Sequence, residues 1–451
     1  MSDVIAAVAT GRVPCAIGIL RISGEGCIQV AGRIFKPENG KPLEEAPNRK
    51  MVLGRLHDRQ GRVIDQALAV CCRAPHSYTG EETVELQCHG SPAMLSAGLE
   101  SLFAAGARQA GPGEFTKRAF LNGQLDLTQA EAVVDLIDAE SADAAANAAG
   151  QLGGALLRRI SPIYDSLTDL CSHFHAVLDY PDEDIEDFGL EELRRTLADA
   201  SAGIQALLAT YEQGRHLKHG VKAVLLGRPN AGKSSILNAL AGYERVIVTD
   251  IAGTTRDTVE EPVRIGKVLL RLTDTAGIRE AGDKIEAMGV ARSEQAAKEA
   301  ELAIFVCDAS EALNDEDYRA MEAAKAAPRC LALLNKSDRP QVVTELPFET
   351  VIPVSAQTGE NMDALKDLLE SWYTEGAHCD GSLLTNARQF GALTRAKEAL
   401  TRGEAALIHG ITPDAVLTDV EEAMTALGEV TGRTVREDIT NRIFARFCVG
   451  K

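Results

Sequence analysis

The residues best placed to do chemistry lie in "VKAVLLGRPNAGKSSILNALAG". An apolar run, Ala223 to Leu226, feeds Gly227-Arg-Pro-Asn-Ala-Gly232-Lys233-Ser234, and a helical pattern follows at once. Glycines there let successive backbone N–H groups wrap a phosphate chain at a helix N-terminus. Lys233 brings a cation to the outer phosphates, and Ser234 offers a hydroxyl to Mg²⁺. Asn230, Ala231 and Ser235 complete the loop. The motif alone is short enough to occur by chance. A strand before it and a helix after it make phosphate binding the expected chemistry.

Four further pieces follow in order. "LALLNKSD" is an apolar strand ending in Asn335, Lys336, Ser337 and Asp338, and it resembles the guanine-reading NKxD motif of GTPases. A carboxylate at Asp338 accepts from the guanine N1–H and exocyclic amine, a donor pair that adenine lacks. Lys336 would lay its stem over the base, and Asn335 would tie the loops together. "VIPVSAQTGEN" then resembles the loop that closes over the base, with Ser355, Ala356 and Gln357. "RLTDTAG" resembles a switch II start, through Asp274, Thr275, Ala276 and Gly277; its carboxylate would hold a Mg²⁺ water and its Gly277 N–H would sense the γ-phosphate. "VTDIAGTTRD" supplies a switch I from Thr249, Asp250, Ile251, Ala252 and Gly253 to Thr254 and Thr255. Each piece alone is a turn Asp or a loop Thr; five that run along the chain as phosphate loop, switch I, switch II, guanine reader and base loop point to GTP.

Hydrolysis needs an unusual arrangement. A glutamine after the DTAG sequence orients the attacking water in Ras-like proteins. Here Ile278 stands at that position and cannot do so. The Asn230 side-chain oxygen could instead help hold a monovalent cation, with carbonyls around Thr249 and Ile251. Such a cation would supply the positive charge that an arginine gives elsewhere. A carboxylate in "IREAGDKIEAMG" would then place the water.

The elements that must position these residues show three textures. Residues 1–118 are strand-rich, with runs such as "CAIGILRIS", "QALAVCCRA" and "TVELQCHG" punctuated by turn signals, and predict an α+β domain. Residues 119–216 are Ala- and Leu-rich with apolar positions at helical spacing. The acidic "DYPDEDIEDFG" within them reads as a solvated loop. From 217 to 375, apolar strands alternate with amphipathic helices, the pattern of a parallel α/β sheet. Helical texture returns over 376–451. One all-α domain with the α/β domain inserted into it is the simplest organisation.

Bulk properties exclude some classes. At 451 residues the chain is too long for one core. Its 47 Lys+Arg against 66 Asp+Glu give −19, which argues against a general nucleic-acid coat but not against a local RNA site. No run reaches the roughly 18 apolar residues of a membrane helix. The start, "MSDVIAAVATGRVPC", has an acid where a signal peptide wants a basic region, so a cytoplasmic protein is expected. Ten cysteines form no CxxC pair. Adjacent Cys71 and Cys72 should face opposite sides of a strand, and Cys88-His89 lacks a second pair with which to bind a metal.

Taken over the whole chain, the pieces resemble the MnmE (TrmE) family of tRNA-modification GTPases. "GILRISG", "TGEETVELQCHGSP", "GPGEFTKRAFLNGQLDLTQAEAVVDLIDA", "DYPDEDI" and the terminal "FCVGK" carry the resemblance beyond the motifs shared by GTPases at large. It implies a multidomain fold: an α+β tetrahydrofolate-binding and dimerising N-terminal domain, a helical domain, and an inserted P-loop G domain. It also implies a homodimer whose G domains meet in a potassium-dependent manner. The implied partner is the flavoprotein MnmG (GidA), and the implied product is 5-carboxymethylaminomethyluridine, or its aminomethyl relative, at the tRNA wobble position. The implied one-carbon donor is a 5,10-methylene- or 5-formyl-tetrahydrofolate. Carried over by motif, Asn230, Thr249, Ile251 and Thr254 would bind K⁺, Ser234 and Thr255 Mg²⁺, and Glu286 the hydrolytic water. Arg21, Glu85, Gln124 and Lys451 would meet the folate, and Cys448 would be a reactive thiol or simply a tail residue. The family often has lysine where Gln124 stands; an amide can hydrogen-bond a folate but cannot pair with its carboxylate.

Two other classes compete. A ribosome-assembly GTPase would share Asn230 and the apolar residue after DTAG, yet leaves the N-terminal pieces and "FCVGK" without a purpose. A folate-dependent aminomethyl transferase explains the N-terminal third but not the GTP machinery.

Overall fold

The computed structural model describes residues 3–11, 13–179, 190–241, 260–273, 295–374, 379–410, 413–434, 437–445 and 447–450. The chain forms two compact units: Met1–Val134 with Gln151–Ile204 and Gly391–Lys451, and Asp135–Gly150 with Gln205–Phe390.

The first unit opens with an α+β layer. Its strands are β1 (Ile5–Val8), β2 (Cys15–Ser23), β3 (Phe35–Pro37), β4 (Met51–His57), β5 (Val63–Cys72), β6 (Thr83–Gly90) and β7 (Arg108–Gln109). They form one sheet in the order β3-β4-β5-β6-β2-β1-β7, antiparallel except at the β1–β7 edge. Helices α1 (Cys27–Ile34) and α2 (Pro92–Ala104) belong to the same layer. Alternation along the strands sends Leu20, Ile22, Ala69, Cys71, Val84 and Leu86 inward. Cys71 is buried and Cys72 half-buried, as that alternation requires.

Helices α3 (Glu114–Leu121), α4 (Leu127–Ile137), α5 (Ala142–Leu152), α6 (Ala155–Asp179) and α7 (Leu190–Leu208) follow. The chain closes with α12 (Ala387–Ile408), α13 (Pro413–Thr431) and α14 (Glu437–Phe444). Within the first unit, the end of the chain is pinned down by aromatic packing. Phe444 and Phe447 are buried with Leu127 and Ala130, and the Phe444 ring lies 6.2 Å from that of Phe120. Burying two phenylalanines contributes roughly 3–6 kcal/mol, far more than a frayed tail holds.

The second unit is built on β8 (Val221–Leu226), β9 (Glu260–Ile265), β10 (Val268–Thr273), β11 (Leu302–Asp308), β12 (Arg329–Asn335) and β13 (Val351–Pro353). Its helices include α8 (Tyr211–His219), α9 (Lys233–Ala241), α10 (Asp315–Ala324) and α11 (Met362–Tyr373). The sheet order is β13-β12-β11-β8-β10-β9, parallel except for the β9–β10 hairpin. "LAIFVCD" in β11 is buried at every position, because a parallel strand has helices over both faces and so reads as a continuous apolar run. Among the described residues, no helix is long and apolar enough to cross a membrane.

Candidate functional site

In an open parallel sheet, ligands gather beyond the carboxyl ends of the strands. Strand β8 ends there at Leu226, one residue before Gly227, and β12 ends at Asn335. The two loops are joined by one buried side chain. Asn335, only 2 % exposed, donates through Nδ2 to the Ala231 carbonyl at 2.9 Å. Its Oδ1 accepts from the Ala356 N–H at 3.2 Å. A single amide thereby ties the glycine-rich loop to the Ser355–Gln357 loop.

The glycines are required by geometry. Gly227 adopts φ +149, and a Cβ there would lie 2.2 Å from the Val306 carbonyl oxygen. Gly232 adopts φ +98, and a Cβ there would stand 2.1 Å from Asn335 Nδ2. Asn230 itself holds φ +63, a left-handed conformation that Asn tolerates better than most residues. The alternation bends the loop so that backbone N–H groups can converge on an anion. Lys233 opens α9 and folds its ammonium over the loop, donating to the Gly227 and Arg228 carbonyls at 2.7 and 2.8 Å. Ser234 and Ser235 are exposed on the first turn of α9.

The base-reading side is also ordered. Ser355, fully buried, donates its hydroxyl to Asp338 Oδ1 at 2.6 Å and so fixes the carboxylate's orientation. Ser337 donates to Glu360 at 2.8 Å. Lys336 takes φ +65 and sends its ammonium to the buried Asp308 at the end of β11. Burial pushes the Asp308 carboxyl upward; hydrogen bonds from Lys336 and Ser310 outweigh it and hold the group below the usual carboxylate range. Asp308 is a site residue that the motif reading missed. Its signal was an acid closing an otherwise apolar strand. Arg228 is a second: it pairs with Glu311 at 2.6 Å and approaches the buried Asp317 at 3.6 Å.

In the first unit, Arg21 and Glu85 stand opposite each other on β2 and β6, with Arg21 Nε 2.9 Å from Glu85 Oε1. The Arg21 guanidinium lies 5.5 Å from the Tyr78 ring and 5.8 Å from that of Phe115. Gln124 is exposed and lies against Gly80, two residues beyond Tyr78. The tail reaches the same neighbourhood. Val449 packs on the cluster that contains Phe115 and pairs in an antiparallel bridge with Pro112. Cys448 accepts from the Gly113 N–H through its carbonyl, while its side chain is exposed. Cys88 and His89 are adjacent on β6 but differ in exposure. Burial pushes the Cys88 thiol up to about 12, and His89 is exposed against Asp65. Among the described residues, no group of three or more His, Cys, Asp or Glu could hold a metal ion.

Thr249, Asp250, Ile251, Ala252, Gly253, Thr254, Thr255, Asp274, Thr275, Ala276, Gly277, Glu286 and Lys451 lie outside the described residues.

A family model described as "MnmE helical domain" matches residues 127–448, and one described as "GTP-binding protein TrmE N-terminus" matches residues 4–124. The chain belongs to the MnmE family. Curated members resemble it from end to end. The tRNA modification GTPase MnmE of Symbiobacterium thermophilum is 43% identical over 456 residues, spanning 100% of this chain and 99% of that one. The protein of the same name from Clostridioides difficile is 40% identical over 459 residues, and that from Aquifex aeolicus 41% over 456, each spanning 100% of both chains. Membership accounts for the α+β, helical and P-loop layers occurring in one chain.

Proposed function

We propose that this MnmE-family chain hydrolyses GTP as part of tRNA modification, and that its product, made with the flavoprotein MnmG (GidA), is 5-carboxymethylaminomethyluridine at the wobble position. The observation that carries the reading is the end-to-end identity with proteins named tRNA modification GTPase MnmE. The order at the nucleotide loops supports it. Asn335 holds the phosphate loop to the base loop, and Ser355 orients Asp338 for guanine.

The resident groups fit the side chains present. The left-handed turn at Asn230 and the converging glycine-loop amides suit a phosphate with cations beside it. Ser234, with Thr255, would hold Mg²⁺; Asn230, with Thr249, Ile251 and Thr254, would hold K⁺. The K⁺ would add positive charge beside the phosphates. Lys233 binds the outer phosphates, Asp274 and Gly277 respond to the γ-phosphate, and Glu286 orients the water. Arg21, Glu85, Gln124 and Lys451 would receive a tetrahydrofolate derivative: the carboxylate suits the pterin N–H donors, and the aromatic rings around Arg21 suit a planar ring. The folate would supply the one-carbon unit. Cys448 is held on the 112–113 backbone with its thiol exposed, as a participant in that chemistry requires. The domains run 1–118, 119–216, 217–375 and 376–451, the protein acts as a homodimer in the cytoplasm, and its G domains meet when GTP and K⁺ are bound.

GTP turnover in KCl against NaCl at equal ionic strength tests the nucleotide half. Stimulation by K⁺ alone, lost in Asn230→Ala with GTP affinity kept, is expected. Equal rates in both salts would remove the cation from the mechanism.

A further inference from the structure

The segment Asp135–Gly150 reads as helical texture like its neighbours, yet it packs with the nucleotide-binding sheet. Two carboxylates make the attachment. Asp135 Oδ1 pairs with Lys218 Nζ at 2.7 Å, and its Oδ2 accepts from Thr385 Oγ1 at 3.1 Å. Glu140 receives Arg271 Nη2 at 3.2 Å on both of its oxygens. Arg271 also donates through Nε to the His219 carbonyl at 2.7 Å. Farther along, the buried Asn147 accepts from the N–H groups of Gly381 and Leu383. Gly150 lies so close that a Cβ there would stand 2.1 Å from the Asp380 carbonyl oxygen.

The two cations are not scattered surface charges. Lys218 is in the last turn of α8, which leads through Gly220 into β8 and on to the phosphate loop. Arg271 is on β10, directly opposite Lys222 of β8, and Asp274 follows β10 in sequence. Asp135 therefore holds the end of α8, just before the strand that leads to the phosphate loop, and Glu140 holds β10, the strand that leads to the DTAG sequence. Between the end of α8 and Gly227 lies the whole of β8, six residues or roughly 20 Å of strand. Extended strands in a buried parallel sheet do not compress, so displacement at one end reaches the other. Thr385 adds a third connection, two residues before α12.

We propose that Asp135 and Glu140 are positioning residues that couple the nucleotide cycle to tRNA modification, an inference that rests on the GTPase reading above. They make the Asp135–Gly150 segment follow the sheet, so that a change at the phosphate loop is delivered to that helical segment.

The test uses the full chain in a strain lacking its own copy of the gene, with wobble-nucleoside analysis beside GTP turnover and melting temperature. Glu140→Arg should keep melting and GTP turnover within about twofold of the parent and lower modification by at least roughly fivefold. Exchanging the charges, Glu140→Arg with Arg271→Glu, should restore at least about half of the modification. The milder Glu140→Gln should show the same split to a smaller degree, and it keeps the test open if charge reversal impairs folding. Full modification by Glu140→Gln and Glu140→Arg would overturn the coupling role. So would a folded charge exchange that restores nothing, or loss of turnover and modification in step. Failure of the parent chain to restore modification would instead sink the tRNA-modification part of the proposed function.

Discussion

Replacing Gly232 with alanine attacks the joint between the phosphate loop and the base loop. The added Cβ would stand 2.1 Å from Asn335 Nδ2 on a backbone at φ +98. Holding alanine in that conformation costs about 1–3 kcal/mol. Pushing Asn335 aside loses its bonds to Ala231 and Ala356, about 1 kcal/mol each and more if the buried groups find no other partner. The sum, roughly 3–5 kcal/mol, must be met by the nucleotide on binding, which corresponds to at least roughly 100-fold weaker affinity. Titration of the full chain with a fluorescent GDP or GTP analogue measures this. Asn335→Ala loses only the hydrogen bonds, about 2 kcal/mol or roughly 30-fold. The double variant removes the amide that the new methyl would strike, so its loss should be smaller than the product of the two single losses. Binding by Gly232→Ala within about threefold of the parent would refute the geometry, and so would strictly multiplicative losses.

Two other outcomes follow from the same structure and a third from the sequence. Asp338→Asn presents an amide where guanine wants an acceptor; GTP binding should fall while xanthosine triphosphate, with a carbonyl in place of the exocyclic amine, gains, and unchanged guanine preference in competition assays would exclude Asp338 as the reader. The Glu301 carboxyl lies in a network with Arg215 at 2.8 Å and His216 Nε2 at 2.6 Å, the proton assigned to that nitrogen. Burial raises Glu301, but His216 and Arg215 prevail and lower it to about 2. A depressed carboxylate stabilises the fold fully above its unfolded value near 4.5 and loses that stabilisation as pH falls toward 2. Allowing for solvent screening of a group about a fifth exposed, Glu301→Gln should cost about 1–2 kcal/mol at pH 7. The gap in urea midpoint between parent and variant should narrow below about pH 4.5; a gap that widens there would reverse the assignment. Glu286→Ala should bind GTP and still dimerise but turn over slowly, and near-normal turnover would remove Glu286 from the water-positioning role.

The parallel sheet was legible because strands covered on both faces must be apolar along their middles, as β8, β11 and β12 are apart from Lys222 and the polar residues at their ends. Gly227, Gly232, Asn335 and Asp338 were legible because phosphate and guanine demand those groups at that spacing. The α+β layer showed through the alternation in β5 and β6. What stayed hidden depends on pairing between distant positions. Asp308 meets Lys336 only because β11 and β12 end side by side. Glu140 and Arg271, 131 positions apart, are ordinary surface charges in the sequence and become partners only once α8 and β10 have been brought beside the 135–150 segment. Helical periodicity showed that this segment is helical but not which body it packs on, since an Ala-rich amphipathic stripe suits many partners.

The central claim is that GTP hydrolysis at this P-loop serves tRNA modification. The measurement that meets it most directly is nucleoside analysis of wobble uridines from a strain lacking the gene, complemented with either the parent chain or Lys233→Ala. The parent should restore 5-carboxymethylaminomethyluridine or its aminomethyl relative, and Lys233→Ala, folded and expressed at the same level, should not. Equal restoration by both would contradict the claim that nucleotide turnover drives the modification, and restoration by neither would contradict the tRNA assignment.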